Sequence, residues 1–132
     1  MPMCVAVPKE QTPGERRVAL VPEVAGRLAK LGVSVAIEKE MGKSAYFLDA
    51  AYSQAQVLED VTKLYQQADV VLKVQPPTEA EIELMKAGTV LIGFLAPHRY
   101  PERVAKLRDK QITSLAMELV PRISRAQSMD AL

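Results

Sequence analysis

Cysteine and histidine occur once each in the 132 residues, as Cys4 and His98. A single cysteine excludes an internal disulfide and fits a reducing compartment. The same scarcity argues against a structural zinc site, which draws its ligands from several such residues, and we expect no metal. Cys4 lies in the apolar run CVAV, so a buried structural thiol is expected rather than a nucleophile. Basic runs are also missing. Lys and Arg total 17 against 16 acidic residues, a net charge of +1, which leaves no electrostatic footprint for nucleic acid. No apolar stretch approaches the ~20 residues that span a bilayer, and nothing resembles a signal peptide. A water-soluble, cytoplasmic segment without direct membrane insertion is expected. The six glycines, at 14, 26, 32, 42, 88 and 93, include no pair two residues apart. A G-x-G-x-x-G fingerprint is therefore excluded, and a Walker loop is excluded too, since the one pair five apart, Gly88 and Gly93, is followed by Phe94 instead of lysine. If the chain serves a nucleotide, the phosphate cradle lies elsewhere.

What is present is an alternation of strand and helix. Apolar runs of β type recur as CVAV (4–7), SVAIE (34–38), DVVLKV (69–74), TVLIGFL (89–95) and ITSLAM (112–117), with AQVL (55–58) weaker. They are nearly continuous rather than alternating, as parallel strands covered on both faces require. Between them Val21, Val24, Leu28 and Leu31 carry helical spacing, with Gly32 as a stop. TEAE (78–81) reads as a capping box with Thr78 at the N-cap and Glu81 three residues on, placing Ile82 and Met85 on one face. Asp60 suits a cap for VTKLYQQA, Pro101 suits a first helical position, and a short helix is expected near Asp49–Gln54. The order predicts one α/β unit: a three-layer parallel sheet with helices on both faces, Rossmann- or flavodoxin-like, joined by right-handed crossovers.

Sites in open α/β sheets form beyond the carboxyl ends of the strands. Four loops fall there: 8–17, 75–78, 96–100 and the terminal phrase ELVPRISRAQSMDAL. They gather Lys9, Glu10, Arg16, Arg17, Arg99, Arg122 and Asp130 at one edge. Lys9, Glu10, Glu15 and Arg16 read most simply as solvated turn charges, and His98 as a surface or hinge histidine. Arg17 divides evenly between packing and function. Ser124 and Gln127 have capping-box spacing, so that loop divides evenly between structure and site.

Four stretches carry a resemblance: VPKE and ERRVALVP within 7–22, DVVLKVQPP (69–77), GFLAP (93–97) and PRISRAQSMDAL (121–132). Together they resemble the amino-terminal part of the alanine dehydrogenase and nicotinamide nucleotide transhydrogenase family, over essentially the whole chain. The terminal motif resembles the transhydrogenase loop that carries an Arg, a Gln and an Asp at the nicotinamide, here Arg122, Gln127 and Asp130. The resemblance implies a cofactor-binding segment of Arg122, Ile123, Ser124, Arg125, Gln127 and Asp130. Arg122 and Asp130 would hold the ring, and Gln127 would align it for hydride transfer to NADP(H) on another component. Two departures from the dehydrogenase branch stand out. Gln75 replaces its substrate lysine and Ala96 its catalytic histidine, while Arg17 matches its substrate-carboxylate arginine. An arginine alone cannot do acid/base work near neutrality.

The resemblance thus implies the first subdomain of a two-subdomain NAD(H)-binding alpha subunit of a proton-translocating transhydrogenase. Its expected partners are NADP(H)-binding and membrane-spanning components and a second copy in a homodimer, with localisation peripheral to the membrane through those partners. It also implies that the chain is a fragment whose NAD-binding Rossmann domain follows and whose isolated activity and NADH affinity are negligible. Two alternatives remain open: an alanine dehydrogenase-like amino-acid dehydrogenase and a non-enzymatic subunit-docking domain.

Overall fold

The structure, a computed structural model, describes residues 3–119. Six strands form one all-parallel sheet: β1 (Cys4–Val7), β2 (Ser34–Glu38), β3 (Gln56–Leu58), β4 (Val70–Leu72), β5 (Val90–Gly93) and β6 (Thr113–Ala116). Their spatial order is β3-β2-β1-β4-β5-β6, so the chain winds outward from β1 in both directions. The connecting helices are α1 (Pro22–Lys30), α2 (Val61–Gln67), α3 (Glu79–Leu84) and α4 (Pro101–Asp109). The weak run 55–58 is the edge strand β3. The helix expected near Asp49–Gln54 is a single 3-10 turn, Asp49–Ala51. That turn is held because the Asp49 carboxylate accepts from the Glu40 backbone N–H and the buried Tyr52 hydroxyl donates to the Leu20 carbonyl.

Local signals place the helix ends. The Asp60 carboxylate accepts from the N–H groups of Thr62 and Lys63 and opens α2. Thr78 and Glu81 form the reciprocal capping box of α3. Pro101 starts α4, where its missing N–H costs no helical bond. Beyond α1, Gly32 sits at φ +86° and donates to the Ala29 carbonyl, while Val33 donates to that of Leu28. This is the paired closure that a left-handed residue permits at a helix end.

Alternate strand residues point to opposite faces, and two cores result. Cys4, Ala6, Ala36, Val71 and Leu91 pack beneath α2, α3 and α4 with Leu64, Tyr65, Ile82 and Leu107. Val7, Val35 and Ile37 pack on the other face with Ala25 of α1, Leu20, Met41 and Tyr52. Cys4 is buried as expected, and desolvation raises its thiol above the ordinary value. The stripe assigned to α1 is corrected. Val21, Val24 and Leu31 are exposed, and the helix touches the sheet through Ala25 with Leu28 packed beside it. A small residue at the closest point lets the helix approach, which turns the larger apolar residues outward.

Coverage of the two faces is unequal. In-register Leu72, Ile92 and Leu115 form a row across β4, β5 and β6, with Leu72 and Ile92 half-buried and Leu115 52% exposed. Among the described elements, α1 alone is packed on that face, over β1 and β2.

Candidate functional site

The strand order reverses between β1 and β4, where a crevice opens at the carboxyl ends of the strands in folds of this type. In this chain a buried polar network fills it. Glu10, three residues past β1, reaches across and accepts from the backbone N–H groups of Val74 (2.9 Å) and Gln75 (3.0 Å). The Lys73 ammonium, with its side chain 2% exposed, lies 3.3 Å from Glu10 Oε1 and 3.2 Å from Glu81 Oε2. Glu81 also accepts from the Tyr65 hydroxyl, and burial pushes that phenol far above its ordinary value. An unpaired charge at such depth would cost several kcal/mol, roughly, so lysine and carboxylates require one another. No helix starts directly after β1, the next being α1 at Pro22. The crevice therefore offers no helix amino terminus after β1 for a pyrophosphate, and that of α3, after β4, is closed by the Thr78–Glu81 capping box.

Displaced from the crevice, the open space lies toward β5. One cleft of about 380 Å³ is lined by Arg17, Leu72, Val74, Ile92 and Phe94 among others. A second, of about 190 Å³, is lined by Arg17, Gln75, Phe94, Ala96 and Tyr100 among others. Arg17, Val74 and Phe94 line both, and Glu15 holds Arg17. Glu15 Oε1 accepts from an Arg17 terminal nitrogen at 2.9 Å, and Oε2 accepts from Arg17 Nε at 3.1 Å. The same Oε1 accepts from Gln75 Nε2 at 2.6 Å. The bidentate guanidinium contact, helped by Gln75 and opposed by burial, brings the Glu15 carboxyl down to about 2 from 4.5. Arg17 lies 6.0 Å above the Phe94 ring centroid. The two clefts are thus a partly apolar recess with one internally neutralised guanidinium, Arg17, between them and Arg99 at the side of the smaller one. The volumes suit a single ring better than a whole dinucleotide.

Two backbone features shape the β5 side. Gly93 packs so closely on β4 that any Cβ there would fall well inside contact distance of the Lys73 carbonyl oxygen. Ala96 adopts φ +47°, an uncommon conformation for a residue with a Cβ. It is held by Glu118, in the 3-10 turn Met117–Leu119, whose carboxylate accepts from the N–H groups of Leu95 (3.0 Å) and Ala96 (2.9 Å). Glu118 ties the loop after β5 to the start of the terminal phrase.

Three of the four expected loops, 8–17, 75–78 and 96–100, do meet at this edge. Two residues assigned to solvent do not belong there: the Glu10 and Glu15 side chains are buried, because backbone N–H groups, Lys73 and Arg17 supply the partners that let a carboxylate leave water. Arg16 and His98 are exposed, and Lys9 is half-buried. Arg122, Ile123, Ser124, Arg125, Gln127 and Asp130 lie outside the described residues. Lys73 was overlooked within an apolar run. Its signal was the lone charge in DVVLKV, which needs an acidic partner once the strand is buried.

A model of the amino-terminal domain of alanine dehydrogenase/PNT matches residues 6–132. The chain belongs to this alanine dehydrogenase/PNT family. It is 43% identical to the NAD(P) transhydrogenase subunit alpha of Cereibacter sphaeroides, over 98% of this chain and 25% of that protein. A solved transhydrogenase from Sinorhizobium meliloti superposes with a TM-score of 0.90 at 36% identity, covering 96% of this chain and 38% of that one. An alanine dehydrogenase of Methanococcus maripaludis is 32% identical, over 94% of this chain and 34% of that protein. The chain thus spans between a quarter and two-fifths of the length of these relatives. Both branches of the alanine dehydrogenase/PNT family share this α/β fold, and the transhydrogenase is the more similar relative. Among the described residues, no helix is long and apolar enough to cross a membrane.

Proposed function

We propose that this chain is the amino-terminal part of the NAD(H)-binding alpha subunit of a proton-translocating NAD(P) transhydrogenase. One observation carries this over a deaminating dehydrogenase: Arg17 and Gln75 are both engaged on Glu15, in a recess where the described residues provide no free proton-transfer group. Among the described residues no histidine lines the two clefts, and the lysine present, Lys73, holds two carboxylates. Oxidative deamination needs a group that takes a proton near neutrality, and arginine cannot. Direct hydride transfer between two nicotinamides needs none. When bound, the nicotinamide supplies the hydride chemistry, and the protein supplies position.

In this proposal Arg122 and Asp130 hold the NAD(H) ring and Gln127 aligns it, with Ile123, Ser124 and Arg125 completing the segment. Support comes from the identity to a transhydrogenase alpha subunit and from Glu118, four residues before Arg122 in sequence, which bonds to the loop beside the recess. Ring and recess are matched in size, while the filled crevice leaves the dinucleotide phosphates to a Rossmann domain further along the subunit. The half-covered row Leu72, Ile92 and Leu115 fits a domain whose second face is completed by the rest of that subunit. NADP(H) is then bound by a partner component, proton movement belongs to membrane-spanning components, and the alpha subunit pairs as a homodimer at the cytoplasmic surface.

Gln127→Asn in the reconstituted enzyme tests the assignment. A shift of about 1 Å in reacting atoms can cost roughly a hundredfold in rate. We expect hydride transfer in stopped flow to fall at least about tenfold, about 1.4 kcal/mol of barrier, with NADH affinity little changed. A lower melting temperature with unchanged transfer would make Gln127 a helix cap instead. Turnover of alanine with NADH formation at an ordinary enzymatic rate would return the dehydrogenase alternative.

A further inference from the structure

The function proposed above leaves a third cleft unused. It measures about 310 Å³ and lies at the same edge, between the loops after β1, β4 and β5. Its charge is one-sided: Arg99 and Arg103 line it, and among the described residues no acidic side chain does. The two guanidiniums share one aromatic ring, with Arg103 Cζ 3.8 Å and Arg99 Cζ 5.3 Å from the Tyr100 centroid. Arg103 also donates to the Pro77 carbonyl, which fixes its plane. Neither arginine is in an ion pair among the described residues, although three of the other four described arginines, Arg17, Arg27 and Arg108, are. Cation–π contact positions a guanidinium without neutralising it, so two like charges are held at one ring with most of their donors unused.

We propose that this cleft is a binding site for a phosphate group, with Arg99 and Arg103 as its two forks. Planar guanidinium forks match the oxygens of phosphate, and a phosphate carries enough charge and acceptors for both at once. The opposite wall supplies neutral donors. Thr78 Oγ1 accepts from the Glu81 N–H, which leaves its hydroxyl proton free to donate, and Thr12 adds a second hydroxyl. Gln11 completes that wall. A concave recess of this size takes a small organic phosphate or free phosphate, whereas an acidic protein surface would require a flatter and larger patch. The site shares Gln75, Arg99 and Tyr100 with the neighbouring 190 Å³ cleft, so an organic phosphate could extend toward the recess beside Phe94.

The test is titration of the full-length protein with inorganic phosphate and with glycerol phosphate at matched ionic strength, followed by calorimetry and thermal melting. Wild-type protein is expected to bind and to melt higher with at least one of them. Tighter glycerol phosphate assigns the site to an organic phosphate, and tighter inorganic phosphate assigns it to the free ion. In R99Q/R103Q the affinity should drop about tenfold or more. Arg103→Lys keeps the charge but not the fork and should fall between the two. Arg99→Gln alone, at an exposed side chain, keeps the test valid if the double variant folds poorly. The absence of binding by wild type, or equal binding by wild type and Arg99→Gln, would overturn the proposal. Gln127 lies outside this cleft's described walls, so the hydride-transfer test above stands or falls separately.

Discussion

Replacing Lys73 with methionine removes the one cation from a buried cluster that also holds Glu10 and Glu81. The ammonium lies 3.3 Å and 3.2 Å from the two carboxylates, with side-chain exposures of 2%, 5% and 11%. At an effective dielectric of about 20, each contact is worth about 5 kcal/mol before desolvation. Methionine refunds the desolvation of the lysine but leaves two carboxylates facing each other without a cation. Breaking a buried pair in this way costs about 3–5 kcal/mol. We therefore expect Lys73→Met to lose about that much in urea unfolding followed by circular dichroism near neutral pH, and to melt about 10–20 °C lower. A second variant isolates charge from packing. Glu81→Gln keeps an oxygen for the Thr78 N–H, so Lys73→Met/Glu81→Gln returns the cluster to one net negative charge with the capping bond intact. It should recover at least half of the loss. A cost below about 1 kcal/mol for Lys73→Met, or a double variant as unstable as the single one, would refute the coupling argued here.

Other consequences are as direct. Gly93→Ala drives a methyl group into the Lys73 carbonyl, between two paired strands that cannot separate, so a loss of several kcal/mol or failure to fold is expected in the same unfolding assay. Ala96→Gly relieves a positive φ, and a gain of up to about 1 kcal/mol is expected provided the Glu118 contacts persist. The Glu15 carboxyl sits at about 2 in the folded protein against 4.5 ordinarily. The folded state thus binds this proton less readily, and the contribution is fully present above about 4.5 and lost as pH falls toward about 2. Glu15→Gln should flatten the acid limb of a stability–pH curve in that window, and an unchanged limb would place the titration elsewhere.

The sequence by itself determined the alternation of elements, the parallel sheet and most helix ends. Near-continuous apolar runs admit strands covered on both faces, and Asp60, Thr78 with Glu81, Pro101 and Gly32 act within one turn of the backbone they cap. The missing glycine spacing likewise excluded a glycine-rich dinucleotide fingerprint without any coordinates, because that motif is local in sequence. Long-range partners decided the rest. Glu10 and Glu15 look like ordinary turn charges until folding brings them against residues some 60 positions away, Lys73 and the backbone of Val74 for one and Gln75 for the other. The burial of Lys73 was hidden for the same reason, since a lysine in a strand is buried only if another element supplies its counter-charge. The Val21, Val24 and Leu31 stripe failed because spacing identifies an apolar face, whereas the closest packing point, Ala25, is chosen by how near the helix can approach the sheet. Arg99 and Arg103 lie on either side of the start of α4 at Pro101, so no single helix face joins them. Only the tertiary structure sets both against Tyr100, on a cleft whose far wall comes from the loops after β1 and β4, because the closure of a cleft depends on elements distant in the chain.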